Sequence, residues 1–212
     1  MSRVETVIRL VEYDRNVFDR FERSVRRKGW AAATANRGIG HLSLKNTLVH
    51  ILNVREAWLV AVAQGKWGIY RQRGRRPNGI HSWREFDRYR KKVRKDVDEL
   101  SAGLTERKLA RRVRAPWMPG TYTLEDAFYQ VSYEQAHHLG EIIGAYWQVG
   151  WRPPKMTWIE NLPSRARAAP TGPRRPGPPG RSPRARGRGR GPRSEGIPSH
   201  RPSARSPADA AE

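Results

Sequence analysis

The chain has 212 residues, with 42 Lys and Arg against 20 Asp and Glu, a formal charge of +22 and no cysteine. Disulfides and cysteine-ligated metal sites are therefore excluded, and any thiol chemistry needs a thiol brought in as substrate. The N-terminal MSRVETVIRLVEYDR alternates charge with apolar residues, unlike a signal peptide, and no run reaches membrane-spanning length, so a cytoplasmic protein without a membrane partner is expected.

Four segments show helical periodicity. Over residues 3–27, Val4, Val7, Ile8, Val11, Phe18 and Phe21 recur at three- and four-residue steps. Over 44–64, Ser43 is a candidate N-cap and Gly65 a stop, with Leu44, Leu48, Ile51, Val54, Trp58 and Val62 on one stripe. The third helix opens on the capping box Ser82-Trp-Arg-Glu85 and sets Phe86, Val93, Val97, Leu100 and Leu104 against a dense Lys/Arg face. The fourth starts after Thr123 and runs to Val149, closed by Gly150 and Pro153-Pro154. Residues 66–81 are too long for a tight turn and predict a crossover between the second and third helices. Residues 110–122, with Pro-Gly and alternating apolar positions, predict a short hairpin or an ordered loop. Four amphipathic helices make an all-α four-helix bundle over residues 1–163.

From Ser164 to Glu212 the chain carries ten of the sixteen prolines and twelve arginines, with almost no large apolar residue. Such a segment cannot bury enough surface to offset chain entropy, which predicts a disordered basic Arg/Pro/Gly-rich tail over 164–212. Within it, RARGRGRGPR (184–193) would neutralise phosphates without reading sequence, and the absence of aromatic residues leaves base stacking unavailable. The competing account is a solvated tail with no selected partner.

On the fourth helix Ala127, Val131, Glu134, His138 and Ala145 share one stripe, which turns Glu134 and His138 toward the bundle interior. A carboxylate facing a core survives only with a cation, a hydrogen-bond partner or a metal. Residues at i and i+4 have Cβ atoms about 5–6 Å apart, a spacing that suits two ligands of one ion. His50, beside the stripe of the second helix, is a candidate third ligand. The alternative is a structural ion pair, with His50 a satisfied core histidine. His137 points about 100° away from His138, and His41 carries no signal of its own.

LSLKNTLVHILNVREAWL, followed about ninety residues later by HHLGEIIGAYWQVGWRPP, resembles the DinB/YfiT group of metal-binding four-helix proteins, which is distinct from the translesion polymerase of similar name. VIRLVEYDRNVFDRFERSV resembles that family's first helix, so the likeness spans residues 1–160. It implies a divalent metal, often zinc or nickel, held by one histidine of the second helix and a His-x-x-x-His pair of the last. Carried over, the ligands are His50 and His138, and the middle ligand falls on Glu134. A carboxylate there tilts the site toward zinc, iron or manganese. The resemblance further implies a metal-dependent transferase using a low-molecular-weight thiol, or a hydrolase, acting on a small-molecule substrate. The rivals are a noncatalytic scaffold or homodimerisation unit, and a protein making nonspecific nucleic-acid contacts through its tail.

Overall fold

A computed structural model describes residues 1–73 and 79–162. The expected tail, 164–212, and the middle of the expected crossover lie outside the described residues. Four long helices form the bundle: α1 (Arg3–Arg26), α3 (Leu44–Arg55, continued by a π-helical stretch Glu56–Val62), α5 (Trp83–Ala102) and α7 (Leu124–Gln148). Short helices α2 (Trp30–Thr34), α4 (Trp67–Arg73), α6 (Glu106–Leu109) and α8 (Trp158–Asn161) fill the connections. No described helix is long and apolar enough to cross a membrane.

The helix starts follow from local hydrogen bonding. Ser2 Oγ accepts from the Glu5 amide at 3.1 Å while Glu5 returns a carboxylate oxygen to the Ser2 amide at 2.7 Å. Thr123 and Asp126 repeat this at α7, at 3.1 and 2.7 Å. At α5, Ser82 Oγ accepts from the Glu85 amide, but Glu85 reaches one residue further back, to the His81 amide at 2.8 Å, so the expected box closes on His81 instead of Ser82. Gly65 and Gly150, with φ of 68° each, end their segments in the left-handed conformation that glycine adopts freely.

Val7, Phe18, Phe21, Leu48, Leu52, Phe86, Val93, Phe128, Leu139 and Tyr146 are buried and form one core. In the π-helical stretch all seven residues, including Glu56, are buried. A segment apolar nearly all round belongs inside. The crossover differs from a plain connection because Trp67 packs on the core and carries the helix α4 with it. Residues 110–122 form the hairpin alternative: β1 (Arg112–Val113) pairs antiparallel with β2 (Tyr122–Thr123).

Polar contacts also tie the helices together, two groups of them through arginine. Asp14, buried, accepts from Ser132 Oγ at 3.0 Å and from Gln135 Nε2 at 3.3 Å, while the Arg55 guanidinium donates to Gln135 Oε1 and, at 3.2 Å, to the Asp14 carbonyl. Burial pushes the Asp14 carboxyl up to about 6, against the opposing pull of Arg55 and the Ser132 hydroxyl. Across the α1–α5 seam, Asp19 accepts from Arg94 at 2.6 and 2.8 Å and from Arg90 at 3.3 Å, and Arg26 reaches Asp87 at 2.5 Å.

Candidate metal centre

His50 sits on α3 and His138 on α7, and their rings meet edge to face with centroids 4.5 Å apart. The third imidazole is His41, from the segment between α2 and α3. Its ring stacks on His50 at 3.8 Å and lies 4.9 Å from His138. One ligand atom from each of the three lies within 4.8 Å of the others, close enough for a single ion.

The loop geometry that delivers His41 is specific. The Arg37 amide donates to the Leu42 carbonyl at 2.6 Å and the Leu42 amide to the Ile39 carbonyl at 2.7 Å, folding residues 37–42 back on themselves. Leu42 itself is left-handed, with φ of 67°, a conformation that costs a residue with a branched side chain free energy. At Gly40 a β-carbon would lie 2.7 Å from Glu141 Oε1. A side chain here would push the Glu141 carboxylate aside.

Glu141 Oε2 lies 2.8 Å from His138 Nδ1. A carboxylate accepts, so Nδ1 carries a proton, and in the neutral ring Nε2 then presents a lone pair. This is the arrangement in which a carboxylate fixes the tautomer and orientation of a metal-binding histidine. On the other side Nε2 faces Glu134 Oε2 at 3.4 Å, and Gln130 holds the second Glu134 oxygen at 2.9 Å. A lone pair and a carboxylate oxygen facing each other repel, and a proton on Nε2 turns the contact into an ion pair. The donor set that fits a divalent ion is the group of three imidazoles, with Glu134 beside it. Burial lowers the His50 pKa to about 4, with His41 and His138 adding to the effect, and burial also lowers that of His41. Both rings are thus neutral near pH 7, the form in which imidazole coordinates.

Of the residues expected to bind metal, His50 and His138 come together. Glu134 is half-buried and lies beside His138, outside the three-imidazole group. His137 is exposed, and with His138 and Glu141 it forms a second group of potential ligand atoms. Sequence reasoning missed His41 and Glu141. Glu141 had a readable signal, three positions after His138 on the same helix face; the glycines of Gly38-Ile-Gly40-His41 marked a loop able to make a close approach, though not where it would go.

A family model described as the DinB superfamily matches residues 18–142, from the last third of α1 through most of α7, and includes all three imidazoles. No curated protein matches the chain.

Proposed function

Taking as premise that the chain belongs to the DinB superfamily, we propose that His41, His50 and His138 hold one divalent metal ion and that the site activates a small nucleophile, a low-molecular-weight thiol or water, for transfer or hydrolysis. The observation that carries this reading is the convergence of three imidazoles from three separate segments, with Glu141 fixing the tautomer of one. An all-imidazole set suits zinc, nickel or iron, and zinc is the ion we assign. When bound, such an ion lowers the pKa of a thiol or water near neutral pH. Three protein donors leave coordination positions open, as catalytic sites require.

The other tasks fall to the chain's own groups. To Glu134, which Gln130 holds and solvent partly reaches, we assign the proton released by the nucleophile. Glu141 keeps the His138 ring oriented. Since the chain has no cysteine, the thiol must enter from solution.

The test is elemental analysis of the purified full chain and of His41→Ala, His50→Ala, His138→Ala and Glu134→Gln, together with rates on ester and electrophilic substrates with and without a panel of thiols. The wild type is expected to carry one equivalent of metal and each histidine variant to lose most of it. Glu134→Gln should keep the metal and lose about 100-fold in rate, the range for a general base. Wild-type metal content in both His50→Ala and His138→Ala would sink the assignment, and loss of metal in Glu134→Gln would make Glu134 a ligand.

A further inference from the structure

A second concave feature involves none of the cluster's histidines. The loop of the β1–β2 hairpin and the start of α4 wall a cleft of about 430 Å³, lined by Trp67, Arg114, Pro116, Met118, Pro119 and Gly120. At its edge Trp117 is 47% exposed, unusual for so large an apolar ring. The ring nevertheless has neighbours: it meets Trp58 edge to face at 5.6 Å and Trp67 at 5.9 Å, and Trp67 in turn meets Tyr70 at 6.1 Å. Aromatic pairs in this geometry attract by about 0.5–1.5 kcal/mol each, so Trp117 is exposed yet braced by two other rings.

The hairpin that carries Trp117 is basic in sequence, with Asp126 within electrostatic reach of Arg112 and Glu56 of Tyr70. The hairpin segment 107–123, which supplies most of the lining, contains no aspartate or glutamate and holds Arg107, Lys108, Arg111, Arg112 and Arg114. Arg111 is committed to the Ala63 carbonyl. Arg112 and Arg114 are exposed, as is Arg71 at the end of α4. A ring platform beside exposed arginines is the combination that binds single-stranded nucleic acid: the rings stack bases and the guanidinium groups track phosphates. The concavity favours this ligand over an anionic membrane, for which apolar side chains would protrude from a convex tip.

We propose that this cleft is a binding site for single-stranded nucleic acid, with Trp67 and Trp117 stacking bases and Arg112 and Arg114 contacting the backbone. The site reads no sequence, because every base offers a stacking face.

The full chain is tested by fluorescence anisotropy with a labelled single-stranded oligothymidylate and with the same backbone carrying abasic residues. The C-terminal arginines, in a segment without aromatic residues, would bind both strands alike, so the comparison isolates the cleft. Wild type should bind the abasic strand roughly tenfold more weakly, Trp117→Ala should lose that discrimination, and Trp117→Phe, which keeps a ring, should retain most of it. Arg114→Gln, at an exposed position, should flatten the salt dependence by about 0.7 in the log–log slope. Equal affinity of the wild type for the two strands would overturn the proposal. So would a Trp117→Ala variant that keeps oligonucleotide binding but loses binding to phosphatidylserine vesicles, which would make the surface a membrane contact.

Discussion

Asp14 is a carboxylate that the fold holds in an unfavourable place. Its carboxyl titrates near 3.8 in an unfolded chain and near 6 here, so the native state retains the proton to higher pH than the unfolded state does. Its favourable contribution is complete below the unfolded value and is lost as pH rises through 6. Arg55, its neighbour, is lowered to about 10, also by burial first. Both shifts say that desolvation outweighs the attraction between the two. Asp14→Asn preserves an oxygen for Ser132 and removes the charge. Its stability relative to wild type should therefore be more favourable at pH 7.5 than at pH 4, by about 2 kcal/mol, read from urea denaturation at the two pH values. A pH-independent difference would mean that the carboxyl titrates normally. Legibility also differs from residue to residue. His50 and His138 could be placed from sequence because helical periodicity assigns each residue a face. His41 could not, since its position depends on the left-handed Leu42 and on the absence of a side chain at Gly40, neither of which leaves a periodic trace.

Element boundaries were more accessible, because a cap is a contact between residues two or three apart. Ser43, Ser82 and Thr123 each accept from the amide three residues on. Thr123 has the larger role, since it also ends β2 and its hydroxyl meets Asp126 Oδ2 at 2.7 Å. Thr123→Ala is expected to cost about 1–2 kcal/mol, toward the upper end for a helix cap, while Thr123→Ser should recover most of it. Thermal melts of the two variants decide this, and an alanine variant as stable as wild type would show that β pairing alone sets the start of α7. What local reading could not deliver was α4 and the way its connection docks. Trp67 contacts the hairpin ring Trp117 across a long stretch of chain. A contact of that kind leaves no mark in either segment alone. The π-helical widening after Arg55 belongs to the same category: Glu56 to Val62 reads as continuous helix by periodicity, and only packing against α4, α5 and α7 reveals the change of pitch.

At the scale of the molecule, a chain of charge +22 must hold like charges close together, and the α1–α5 seam shows how. Asp19 takes both Arg90 and Arg94, with side-chain exposures of 19%, 22% and 33%. One carboxylate thus bridges two guanidinium groups of α5, and Glu22 and Asp87 share the charge of Arg90. Asp19→Asn should destabilise by about 1 kcal/mol at low salt, and the loss should shrink at high ionic strength, because partly exposed pairs are screened. Guanidinium chloride would mask the effect, so urea titration at two sodium chloride concentrations is the appropriate measurement. A loss unchanged by salt would assign the role of Asp19 to packing. The histidine cluster adds a different constraint. It gathers residues from near the start and near the end of the folded sequence, and the entropy of closing so long a chain segment grows only logarithmically with its length. Any ion shared by His41, His50 and His138 therefore behaves as a removable cross-link. In a chain without cysteine, such a tie would do for the unfolding barrier what a disulfide does in a secreted protein, while remaining reversible by a chelator.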